Sequence, residues 1–166
     1  MKALVKQSYE PYDAALRHIA DPAPEPGEVV IKVHAAGICG TDMKIYHGQY
    51  TPYKTPIVMG HELTGRIVAV GKDVTHLALN TPVTSRTIVT HCGQCPQCIT
   101  GRENLCRAKT RLGFDHDGAF AQYVKVRQEQ VHVLPDNLDL TVAVLAEVLC
   151  VVAHALKPVK IKPSHT

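Results

Sequence analysis

Apolar and polar residues follow one rhythm through the first 140 residues and another after it. Over residues 28–36, Val29, Ile31, Val33 and Ala35 alternate with Val30, Lys32, His34 and Ala36, the period of two that marks a strand with one wetter face. Residues 1–5, 63–70, 83–89 and 119–126 read as further strands, separated by glycine and proline clusters such as Asp21-Pro-Ala-Pro-Glu-Pro-Gly27. No helix-period segment stands between most of them, so the pattern predicts an antiparallel barrel or sandwich rather than βαβ units.

Beyond Pro135-Asp136-Asn137 the spacing changes. Val142, Leu145, Leu149, Val152 and Leu156 recur at steps of three and four, with Thr141 or Asp139 available as N-cap, and predict one helix. At helical spacing its opposite stripe carries Glu147, Cys150 and His154 within about 60° of each other. A polar stripe on so apolar a helix needs a partner or a role. The tail, residues 157–166, reads as a connector.

Composition narrows the possible functions. The chain has 166 residues, 45% hydrophobic and 20% charged, with 18 Lys and Arg against 15 Asp and Glu. That is enough for one domain with its own core and not for a long second one. The net charge of +3 is spread along the chain, so no footprint for nucleic acid or an anionic membrane is present. Gln7, Glu10 and Asp13 interrupt the N-terminal stretch where a signal peptide would be apolar, and Glu147 and His154 break the longest apolar run. A cytoplasmic protein is expected.

Four of the six cysteines fall within fifteen residues. Cys92, Cys95, Cys98 and Cys106 form a C-x2-C-x2-C-x7-C pattern in a lobe over residues 91–109. Four thiolates close a tetrahedron around Zn²⁺ and leave no open position, which makes such a site structural. Iron is the rival, since four thiolates also hold single irons and clusters, but the seven-residue last gap fits the common cluster spacing poorly. A second, dispersed set consists of Cys39 in Gly37-Ile-Cys39-Gly-Thr-Asp42, then Gly60-His61-Glu62, then Glu147. Cysteine, histidine and carboxylate together can hold Zn²⁺ with three protein ligands and keep a place for water or substrate, as a catalytic zinc does.

These motifs, in this order, resemble the zinc-dependent medium-chain alcohol dehydrogenases. The resemblance covers essentially the whole chain and is greatest to the branch that includes sorbitol and threonine dehydrogenases. It implies a mainly β, GroES-like barrel as catalytic domain over residues 1–156, followed in the family by a Rossmann domain for NAD(P). It makes Cys39 and His61 ligands of the catalytic zinc. Glu62 and Glu147 become the carboxylates that bind the ion directly or through water, without deciding between them. Thr41 matches the hydroxyl that takes the substrate proton; its alternative is a turn residue capping a short helix at residues 42–46. Asp42 reads as structural. Two zinc ions per chain and a small alcohol or polyol substrate follow from the same likeness.

The cofactor half is not legible. All eleven glycines lie at or before Gly118, and no G-x-G-x-x-G turn occurs. The chain is therefore expected to stop before the nucleotide domain, at residues 157–166, to bind NAD(P) poorly, and to be inactive or nearly so alone. The bared surface is expected to drive self-association or to receive a partner chain carrying the Rossmann domain. Two alternatives are a stand-alone zinc-binding module and an electron carrier with iron in the four-thiolate lobe. Other positions depart from the family pattern: Asn80-Thr-Pro82, Val148, Ser164-His165, and Lys44 where many relatives have a proton-passing histidine. These departures touch the proton relay and the final turn and leave the zinc ligands in place. Cys150 and His154 read as ordinary helix residues, and His34, His47, His91 and His116 as ordinary strand or loop residues.

Overall fold

The computed structural model describes residues 1–52 and 54–159. Residues 160–166 of the expected connector, with Ser164 and His165, lie outside the described residues. The strands are β1 (Lys2–Lys6), β2 (Ala14–His18), β3 (Glu28–Gly37), β4 (Ile57–Val58), β5 (Glu62–Val70), β6 (Pro82–Ser85), β7 (Ile88–Thr90), β8 (Thr110–Arg111), β9 (Tyr123–Arg127) and β10 (Val131–Val133). The helices are α1 (Gly40–Tyr46), α2 (Pro96–Ile99), α3 (Leu140–Ala143) and α4 (Ala146–Leu156).

The main sheet is antiparallel with strand order β10-β6-β5-β3-β9, and a smaller sheet, β2-β1-β4, meets it through an Ala3–Ala121 bridge. Residues at alternate positions of the long strands point to one side. Val29, Ile31, Leu63, Ile67, Val83 and Val124 are buried there as a single cluster, joined by Leu112 from the loop after β8. Each such aliphatic side chain contributes about 1.5–3 kcal/mol by leaving water. The mainly β fold expected from the alternation is the one observed.

Register explains how the site is assembled. Pairing of β3 with β5 shifts between Val33 and Ala35, and beyond that bulge Gly37 stands opposite Glu62. The C-terminal end of β3 and the N-terminal end of β5 therefore meet at one edge. Cys39 follows Gly37 and His61 precedes Glu62, so residues more than twenty apart in sequence leave the sheet together.

Some elements differ from the sequence pattern. β2, β4 and β10 were not expected, being short or polar, and they are held by pairing with β1 and β6. The strand expected over residues 83–89 is broken at Arg86, whose backbone N–H donates to the Gln130 carbonyl at 2.9 Å instead of continuing a ladder. The single helix expected from residue 142 is two. Asp139 caps α3 through a 2.8 Å bond from the Thr141 N–H, and the Thr64 hydroxyl donates to the Leu140 carbonyl at 2.6 Å, tying α3 to β5. α4 then starts afresh, and none of its residues is buried.

Candidate metal centres

The carboxylate of Glu62, the ring of His61 and the thiol of Cys39 each offer a ligand atom, all within 4.8 Å of one another. Cys39 is the N-cap of α1, where its sulfur accepts from the Thr41 N–H at 3.5 Å. Asp42, three residues on, closes the capping box by accepting from the Cys39 N–H at 2.8 Å. Its other oxygen lies 3.5 Å from His61 Nδ1. Both of those atoms are buried and make no hydrogen bond within the described residues. With Nδ1 turned toward Asp42, the remaining ring nitrogen is the one free for an ion, the orientation that carboxylate–histidine pairs impose on metal ligands.

Charge at this corner is strained without a cation. Burial works against a charged His61, but the Asp42 carboxylate 3.5 Å away, with help from Cys39, outweighs it and raises the imidazole to about 9. Glu62 is raised above its ordinary value, first by burial; His61 opposes this, while the charges of Glu147 and Asp42 add to it. A thiol, an imidazole and two carboxylates confined together are the donor set a divalent ion would relieve.

The other sequence-selected residues fall around this set. Glu147 begins α4 outside the group of three, accepts from the Thr87 hydroxyl at 3.4 Å and is close enough for its charge to act on Glu62. The Thr41 hydroxyl lies 3.7 Å from the Cys39 sulfur. Glu147, Cys150 and His154 line one groove of about 720 Å³ between α4 and strands β6 to β8, facing His132. Among the described residues Cys150 and His154 join no cluster of possible ligands. Lys44 is exposed, His91 is exposed, and His47 ends α1 packed between the Tyr12 and Tyr46 rings. His34 and His116 face the hydroxyls of Thr141 and Thr110 at 3.3 and 3.0 Å. Sequence reasoning passed over Phe114, whose ring centre is 4.9 Å from that of His61, and over Arg111, whose guanidinium lies 4.6 Å from the same Phe114 ring. Neither belongs to a metal motif, and nothing in their spacing points to the site.

Cys92, Cys95, Cys98 and Cys106 also converge, all within 4.8 Å. Sulfur separations are 3.5 Å for Cys95–Cys98, 3.6 Å for Cys92–Cys106 and 3.9 Å for Cys92–Cys98. Thiolates around one zinc at 2.3 Å stand about 3.8 Å apart along a tetrahedral edge, so the four sulfurs already have that shape. No disulfide forms, and these separations are far too long for one. Backbone N–H groups of Gln94 and Cys95 draw Cys92 down to about 6, whereas burial and the neighbouring thiols push Cys98 up to about 12. A metal ion bound among the four would favour their thiolate forms.

A curled antiparallel sheet whose strand ends gather thiol, imidazole and carboxylate is the architecture of a GroES-like domain. The alcohol dehydrogenase GroES-like domain family matches residues 25–136. A sorbitol dehydrogenase of Halalkalibacterium halodurans is 40% identical over 156 residues, covering 94% of this chain and 45% of that protein. An L-threonine 3-dehydrogenase of Streptomyces coelicolor is 41% identical over 148 residues, covering 87% and 43%. A zinc-binding dehydrogenase of Sinorhizobium meliloti 1021, solved bound to NADP, superposes with a TM-score of 0.91 at 35% identity over 97% of this chain and 46% of that one. This chain belongs to the zinc-dependent medium-chain alcohol dehydrogenase family and spans less than half the length of these relatives.

Proposed function

We propose that residues 1–156 form the zinc-carrying catalytic domain of an NAD(P)-dependent alcohol or polyol dehydrogenase, with residues 91–109 as its structural zinc lobe and 157–166 as a connector toward a nucleotide-binding domain. The observation that carries this reading is the convergence of Cys39, His61 and Glu62 at one sheet edge, with Glu147 of the groove wall near enough for its charge to act on Glu62. Zinc held there would supply Lewis acidity to an alcohol oxygen, and a nicotinamide would supply the hydride-accepting chemistry. Cys39, His61 and Glu62 hold the ion, and Glu147, at the groove wall, is the carboxylate placed to exchange with Glu62 or with water. Asp42 fixes the His61 ring. Thr41, beside the Cys39 sulfur, positions the substrate hydroxyl and relays its proton, accepting it while giving its own to water. Cys92, Cys95, Cys98 and Cys106 hold a second ion that shapes the lobe.

Elemental analysis of the purified chain tests this. Two zinc ions per chain are expected. His61→Ala or Cys39→Ser should remove one of them, and Cys106→Ser the other. Iron in place of zinc, or an unchanged metal content in His61→Ala, would count against the assignment.

A further inference from the structure

Arg111 is the last residue of β8 and stands beside the reacting corner described above. Its guanidinium carbon lies 4.6 Å from the centre of the Phe114 ring, and the His61 ring centre is 4.9 Å from that same ring. Two such steps keep the guanidinium within about 10 Å of His61, the reach of a short carbon chain. The fork is held in one orientation: Nη1 donates to the Tyr50 hydroxyl at 2.9 Å and Nε to the Asp115 carboxylate at 3.4 Å, while the Arg111 backbone N–H holds that carboxylate at 2.7 Å. Nη2 is the donor left unengaged among the described residues.

The same groove that contains Glu147 is lined by Arg111 and Lys109. Lys109 donates to the backbone carbonyl of Asn104 at 2.6 Å and faces no carboxylate among the described residues. Ile88 and Leu134 line another part of the groove, and apolar walls strengthen any attraction made inside it. Asp115 already answers part of the Arg111 charge, but a neutral polyol would leave Lys109, and the free Nη2 of Arg111, without an anionic partner. A phosphate or carboxylate would meet the free Nη2 of a pre-oriented guanidinium and an ammonium lining the same groove.

We propose that Arg111, supported by Lys109, is a specificity-determining residue that receives an anionic group, phosphate or carboxylate, on the far end of the alcohol substrate. The proposal rests on the reading of Cys39, His61 and Glu62 as the reacting centre. It is tested by calorimetric titration of the zinc-loaded chain with ribitol, ribitol phosphate and ribonate. At least one of the two anions should bind tenfold or more tighter than ribitol, and comparison of the two tells phosphate from carboxylate. The preference should shrink as salt is added. Arg111→Leu should abolish it with zinc content unchanged, and Arg111→Lys should retain part of it. Equal behaviour of all three ligands, including binding by none, overturns the proposal, as does an undiminished preference in a folded Arg111→Leu or Lys109→Gln variant. Loss of the first zinc from the chain would overturn the reading beneath it instead, so the two failures are told apart by metal content.

Discussion

Gly37 lacks a side chain at the one point where β3 passes the Glu62 carboxylate, and a Cβ there would overlap Glu62 Oε2. Gly60 does similar work before His61, with φ at +91° and the Phe120 ring filling the space a Cβ would need. Single residues thus fix where the ligands point. Asp42 does so most directly, since it caps α1 and faces His61 Nδ1 at once. In Asp42→Asn an amide replaces the carboxylate opposite the ring and weakens its hold on one tautomer. Competition with a chelator should show about 10- to 100-fold weaker binding at this centre, with the cysteine lobe unaffected. His116 offers a pH test away from both centres. Burial, aided by Lys54, lowers its pKa below 6.5, so the unfolded chain takes up the proton first as pH falls. Its contribution to stability is complete above the unfolded value and is lost as pH drops through 6.5 toward the folded one. His116→Gln should flatten the corresponding part of a stability curve measured by urea denaturation between pH 7.5 and about 5.

Among the elements, α4 differs most in what it leaves uncovered. Leu145, Leu149, Val152 and Leu156, the apolar stripe of the sequence pattern, are each about half exposed, while Glu147, Cys150 and His154 face the groove. Periodicity announces an amphipathic helix but does not say what covers its apolar side. The same limit accounts for the break at Val144 and Leu145, because a run at steps of three and four looks alike whether the chain turns between two helices or continues. Leu149→Glu should change unfolding free energy by no more than about 0.5 kcal/mol, since nothing in this chain buries that side chain. It should nevertheless reduce self-association in sedimentation velocity. A wild-type chain that stays monomeric at high concentration would contradict the expectation that this face seeks a partner.

At the scale of the whole molecule, ten strands and two cysteine- or histidine-bearing centres occupy residues 1–159, and no described helix is long and apolar enough to cross a membrane. The chain's 166 residues contain no glycine-rich dinucleotide turn. Titration with NAD(H) followed by fluorescence is expected to give no saturable micromolar binding accompanied by polyol turnover; the two together would contradict the expectation that this chain alone is inactive.

What the sequence determined by itself was chemical identity and local rhythm. The four clustered cysteines, the order of Cys39, His61 and Glu147, and the alternation in β3 and β5 were all legible, because ligand types and strand periods are written in neighbouring residues. Tertiary structure decided the rest. The bulge between Val33 and Ala35 sets which residues meet at the sheet edge, and it groups Glu62 rather than Glu147 with Cys39 and His61. Tertiary structure also put Asp42 and Phe114 against the imidazole and Arg111 against Phe114, from segments whose spacing gave no sign of it. Such contacts depend on the register and twist of strands far apart in the chain, and a local pattern holds no information about them.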